Sequence, residues 1–257
     1  MKTTKLFLTV IAILIVGNVF AQGVSVNYSD GSTKLEGYFA KAITKQSKAP
    51  GVVIIHQWMG LSAHEKESAN KLVTLGYHAF AADIYGAGVH PKNQQEAAEK
   101  AGYYKGNFKV YQTRIKAAID ELIKQGADPG RIAIIGYCFG GLGAIEAARA
   151  NFPVKGVISF HGGLGKDASR PNDLIKTKVL VLHGADDPYE SAEEIKNFQQ
   201  EMKDGKADWQ MIYYANAVHA FTQLEAGNDN SKGAAYNELA AKRSWEHMKL
   251  FLSEIFK

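Results

Sequence analysis

At 257 residues, 46% hydrophobic and 22% charged, the chain carries enough apolar content for one domain with a full core, which excludes a disordered chain. Its formal net charge of +4 falls to +2 without Lys2 and Lys5, and so small and scattered an excess excludes nucleic acid as a partner. With a single cysteine there is no internal disulfide.

The first segment reads as a secretory signal. Lys2 and Lys5 precede the apolar stretch Leu6 to Val16, and Val19-Phe20-Ala21 places compact residues before Gln22. The stretch is shorter than the roughly 20 apolar residues that span a bilayer. Residues 1–21 are therefore expected to be removed, leaving residues 22–257 as one exported domain, periplasmic or secreted, with no stable membrane anchor. A lone thiol kept in an oxidising compartment is a liability unless it has a task.

From there strand and helix patterns alternate. Strands are predicted at Val24 to Tyr28, Lys34 to Phe39, Gly51 to His56, His78 to Asp83, Arg131 to Gly136, Val154 to Phe160, Lys178 to Gly184 and Trp209 to Tyr214. Several are unbroken Val and Ile runs, as expected of strands covered on both faces in a parallel sheet. Helices are predicted at Ala63 to Leu75, Phe108 to Gln125, Gly140 to Asn151, Ala192 to Lys203 and Gly233 to Phe256. The pattern is an open α/β fold, mostly parallel, with helices on both faces. Tyr103, Tyr104, Phe108 and Tyr111, close together before and within a helix, read as core packing before pocket lining.

The chemistry collects at strand ends. After Arg131 to Ile135 comes Gly136-Tyr137-Cys138-Phe139-Gly140-Gly141. A strand that breaks into G-x-C-x-G-G and then a helix is the nucleophile-elbow pattern of α/β-hydrolases, with sulfur in place of the serine oxygen. The flanking glycines let so sharp a turn close, and the helix start lowers the thiol's pKa. The backbone N–H of Phe139 is placed to meet an oxyanion. A buried structural cysteine is the usual reading of a lone Cys, and the elbow overturns it.

Two further strand ends supply partners. Gly184-Ala185-Asp186-Asp187-Pro188 offers an acid and Val218-His219-Ala220-Phe221 a histidine, in the order nucleophile, acid, histidine. His219 would take the thiol proton and return it to the leaving group, while a carboxylate orients it. Asp187, immediately before Pro188, is preferred to Asp186. His161-Gly162-Gly163 looks like a lipase oxyanion motif but follows the nucleophile strand, and reads as a strand-end turn. No grouping has metal-ligand spacing, so neither metal nor cofactor is expected.

These residues give the chain a resemblance to the dienelactone hydrolase (carboxymethylenebutenolidase) family of cysteine-dependent α/β-hydrolases. The match runs through Leu35 to Tyr38, Val52 to Leu61, Ala82 to Gly86, the elbow, Gly184 to Pro188 and His219 to Phe221, into the closing helix with Trp245. The resemblance implies Cys138, Asp187 and His219 as catalytic residues and the backbone N–H of Trp58 as the second oxyanion donor. Gln57, Tyr85 and Gln223 fall where the family builds its substrate pocket. Many members carry a glutamate at the place of Gln57, where it helps to hold and switch on the cysteine. An amide cannot take a proton, so activation is expected either to rest on His219 alone or to use a different relay. Members that open dienelactone grip its carboxylate with arginines near the positions of Ala87 and Gln223, and neither is arginine here.

Sulfur also restricts the substrate. A thiolate, of ordinary pKa about 8.5, leaves a tetrahedral intermediate more readily than an alkoxide, so only esters with weakly basic leaving oxygens go forward. The expected function is cleavage of lactones or activated esters through a cysteine acyl-enzyme. A small-molecule binding protein on the same fold and an acyltransferase are the alternatives.

Overall fold

The computed structural model describes residues 22–257, so the expected signal segment lies outside the described residues. Eight strands form one sheet: β1 (Val24–Asp30), β2 (Thr33–Ala40), β3 (Gly51–Ile55), β4 (His78–Ala82), β5 (Ile132–Tyr137), β6 (Gly156–Phe160), β7 (Lys178–Gly184) and β8 (Trp209–Tyr214). Their order is β1-β2-β4-β3-β5-β6-β7-β8. Strand β2 runs antiparallel to β1 and β4, and the pairs from β4 through to β8 are parallel. This is the α/β-hydrolase architecture expected from the sequence.

Parallel strands need crossover connections, which run through helices everywhere except between β6 and β7. The helices are α1 (Ala63–Thr74), α2 (Gln94–Gly106), α3 (Phe108–Lys124), α4 (Phe139–Arg149), α5 (Ala192–Asp204) and α6 (Glu238–Ile255). Side chains alternate along β3, so Val53 and Ile55 join the core under α2, α3, α4 and α5, while Val52 and Ile54 join the core under α1 and α6. All four are fully buried, each stabilising the fold by about 1.5–3 kcal/mol. The continuous apolar runs of the sequence thus have their cause in a sheet covered on both sides.

Two elements differ from the sequence-based expectation. Helix α2 was not anticipated. Apart from Tyr103 and Tyr104 its residues are Gln, Glu, Ala, Lys and Gly, and only Ala97, Ala101 and Tyr104 are buried, too thin an apolar stripe to register as a helical period. The last helix begins at Glu238, not Gly233. Gly233 has φ 75°, and Asn237 caps the helix by accepting the N–H of Ala240 at 3.0 Å. The segment before the cap runs beside His219 as a short bridge to Ala234, with His219 N–H to Gly233 O at 3.2 Å and Ala235 N–H to His219 O at 3.0 Å. Those residues fix the backbone of the histidine instead of winding a helix.

Candidate active site

The elbow places Cys138 between β5 and α4 with φ 54° and ψ −114°, a left-handed φ that a non-glycine residue adopts at a cost of about 1–3 kcal/mol. Close approach explains the glycines. A Cβ on Gly136 would stand 1.9 Å from Gly140 O, and one on Gly140 would stand 2.2 Å from Ile55 O. The Cys138 N–H continues the ladder to Phe160 O at 3.0 Å. Beneath the turn the ring of Tyr111 lies parallel to Phe139, with centroids 4.6 Å apart, and its hydroxyl donates to Phe139 O at 2.9 Å. Of the four clustered aromatics, Tyr104 and Tyr111 are core residues, Tyr103 is exposed, and Phe108 carries the Arg170 guanidinium 3.7 Å above its ring.

The loops after β7 and β8 bring the acid and the histidine together. His219 Nδ1 bonds Asp187 Oδ2 at 2.9 Å, and the Asp187 side chain is wholly buried while that of His219 is 13% exposed. The other carboxylate oxygen of Asp187 accepts the Tyr189 N–H at 3.0 Å. Asp186 faces solvent and its backbone N–H bonds Ala217 O. The aspartate preferred in the sequence is the one against the imidazole.

Electrostatics pair the thiol with the imidazole. Burial works against a thiolate at Cys138, but His219, the Phe139 N–H and the charge of Lys105 outweigh it and hold the thiol below its ordinary value. Burial likewise works against an imidazolium at His219, yet Asp187 and the thiolate of Cys138 raise it to about 10. Each group thus favours the charged form of the other, the thiolate of Cys138 and the imidazolium of His219. Glu190, on the same loop as Asp187, accepts the Leu164 N–H at 3.0 Å, and burial raises its carboxyl to about 7.

The peptide of Trp58, expected from the sequence to supply the second oxyanion donor, is held by a set of contacts that the sequence did not disclose. Buried His56 bonds Gln57 O through Nδ1 at 2.6 Å and accepts the Ile84 N–H at Nε2 at 3.2 Å, so the proton is assigned to Nδ1. Burial keeps this ring neutral. In a trans peptide C=O and N–H point in opposite directions, so tying back Gln57 O turns the Trp58 N–H away from His56. The Tyr85 hydroxyl donates to Trp58 O at 2.8 Å, and buried Glu65 accepts the Gln57 N–H at 3.3 Å. Tyr85, expected in the pocket lining, has its hydroxyl engaged by the Trp58 loop, and its ring packs on His56 and Phe139. Gln57 is half-buried, and Gln223 is buried with no partner for its side-chain nitrogen among the described residues. Among the described residues no three His, Cys, Asp or Glu side chains are grouped to hold a metal ion.

The model of the dienelactone hydrolase family matches residues 35–256. This chain belongs to that family. It is 38% identical to a dienelactone hydrolase-like promiscuous phosphotriesterase from metagenomic libraries, whose crystal structure superposes with a TM-score of 0.85 over 91% of this chain and 98% of that one. A Salmonella typhimurium protein provisionally named as a carboxymethylenebutenolidase is 25% identical over 227 residues, 83% of this chain and 80% of its own length. A Klebsiella pneumoniae structure assigned provisionally as a dienelactone hydrolase, 21% identical, shares the fold with a TM-score of 0.75 over 90% of this chain and 98% of that one. Membership makes this protein a hydrolase of carboxylic esters or lactones.

Proposed function

We propose that the enzyme cleaves lactones and activated esters through a thioester on Cys138. The Cys138 thiolate attacks the carbonyl carbon, forming the S–C bond while the carbonyl π pair moves onto oxygen. That oxyanion is met by the N–H groups of Trp58 and Phe139. Collapse breaks the C–O bond, and His219 gives its proton to the departing oxygen. Water then attacks the thioester, His219 takes the water proton, and the thiolate departs to release the acid. The observation that carries this reading is Cys138 at φ 54° on the elbow, beside a histidine fixed by buried Asp187.

The leaving group decides the substrate. Enol lactones and aryl esters release weakly basic oxygens, whereas an alkyl ester returns the thiolate from its tetrahedral intermediate. Without arginine at 87 or 223 there is no bidentate clamp for a substrate carboxylate, which favours uncharged acyl groups. The 38% identical promiscuous phosphotriesterase supports a second class, phosphotriesters, among which the same leaving-group preference selects those with aryl oxygens. A hydrolysis panel of enol lactones, aryl esters, alkyl esters and an aryl phosphotriester, with Cys138→Ala as control, tests the reading. Turnover of the first two classes, lost in the variant, is the expected result. Undiminished turnover in Cys138→Ala overturns it. No turnover of any class, with ligands still bound, favours a binding protein, and product formed only with an added alcohol favours an acyltransferase.

A further inference from the structure

One buried histidine near the thiol–imidazole pair has no part in the chemistry above. His161 is the first residue after β6, fully buried, with φ 38°. Non-glycine residues seldom take that region, and histidine is among those that enter it more readily. Its N–H donates to Leu182 O at 2.9 Å, which locks this backbone to the end of β7. The ring lies edge to face with His219, centroids 5.3 Å apart at 66°, and with Phe221 at 5.1 Å and 81°. Its Nε2 bonds Thr222 Oγ1 at 2.8 Å.

We infer that His161 is a positioning residue that acts through His219, holding the plane of that imidazole toward Cys138. The inference rests on the cysteine reading above. Asp187 fixes only Nδ1 of His219, and one hydrogen bond leaves the ring free to pivot about it. Two rings close that freedom. Tyr189 meets His219 edge-on at 5.2 Å and 90°, but Tyr189 is 57% exposed. His161 meets it from the protein interior and is itself clamped. Thr222 lies three residues after His219 on the same loop, so the Thr222–His161 bond ties ring and loop into one unit.

His161 must stay uncharged for this to work, because a second imidazolium against His219 would repel the proton that His219 keeps. The surroundings ensure it. The titratable groups facing His161 are His64 from α1, Tyr137 from β5, His183 from β7 and His219 from the loop after β8. Burial first, and then the charges of the other histidines, holds His161 far below its ordinary value. None of these neighbours is a carboxylate that could rescue the cation. The neutral ring is bonded at Nε2 to the Thr222 hydroxyl, and Nδ1 has no partner among the described residues.

The test compares His161→Asn, which tolerates the left-handed backbone but has no ring, with His161→Phe, which keeps a ring. Thr222→Val frees the clamp, and His219→Ala is the control. For each variant kcat and KM are measured on an aryl ester, per titratable thiol, together with the pH profile of iodoacetamide alkylation at Cys138, the only thiol. His161→Asn is expected to lose 10–100-fold in kcat at nearly constant KM, with its alkylation midpoint shifted up toward about 8.5, the ordinary thiol value. His161→Phe keeps the edge-to-face contact but loses the Thr222 bond, so it is expected to stay within about 3-fold of wild type, with only the small shift that Thr222→Val shows and well short of that in His161→Asn. A wild-type profile and kcat in His161→Asn overturn the inference. So does His161→Phe falling as far as His161→Asn while melting like wild type. Should His161→Asn fail to fold, Thr222→Val decides: a smaller shift in the same direction supports the inference, and an unshifted profile overturns it. If His219→Ala itself leaves the profile unchanged, the proposed function fails. If only His161→Asn leaves it unchanged, the failure belongs to this inference.

Discussion

A single hydrogen bond separates the two adjacent aspartates. Asp187 gives one carboxylate oxygen to His219 at 2.9 Å with its side chain wholly buried, while Asp186 faces solvent. Asp187→Asn keeps the shape but offers the imidazole the wrong tautomer, and a loss of about 10⁴ in kcat is expected by analogy with serine triads. Asp186→Asn is expected to stay within twofold, and equal losses in the two variants would remove Asp187 from its role. The pair also fixes a pH dependence. Cys138 is held below its ordinary value, so the rate of alkylation rises below about pH 8.5 and stays high at alkaline pH. Turnover needs in addition a protonated His219 for the leaving group, so kcat/KM rises with the same acid limb and falls as pH passes about 10. Both limbs belong to the coupled pair. An acid limb at or above 8.5 in both profiles would mean that the imidazole does not hold the thiolate.

At the scale of elements, the loop after β3 that carries Trp58 shows what the sequence withheld. Gly136, Gly140 and the strand before them read plainly as an elbow, because close backbone approach leaves a glycine signature. The contacts that orient Trp58 come instead from β3's own end, from α1 and from the turn after β4: His56, Glu65 and Tyr85 are scattered through the chain and meet only when the strands are laid side by side. Nothing local marks them. The same holds for the bridge between His219 and Ala234, which looked like the start of a helix until Asn237 proved to be the cap. Tyr85→Phe removes the bond to Trp58 O and keeps the ring packing. We expect kcat to fall about 10-fold with KM unchanged, equivalent to about 1.4 kcal/mol of transition-state binding. An unchanged kcat, measured on an aryl ester, would show that the loop holds its own shape without the hydroxyl.

For the whole molecule, the sheet and the order of functional loops were legible because every central strand is apolar on both faces and each ends in glycine-rich or polar residues. Parallel strands then align those ends, and so Trp58, Cys138, His161, Asp187 and His219 all follow strands at the carboxyl end of the sheet. Helix α2 escaped because its core contact is three residues deep. Expected export is a property of residues 1–21, and intact mass of the mature protein beginning at Gln22 is the outcome that supports it; a full-length species held in the membrane would refute it. The central claim is the thioester, and intact-protein mass spectrometry of the enzyme quenched in acid during turnover of an aryl ester tests it most directly. The account predicts a mass increase equal to the acyl group, confined to the peptide containing Cys138, removed by hydroxylamine and absent in Cys138→Ala. An acyl group on any other residue, or full turnover in Cys138→Ala, would contradict it.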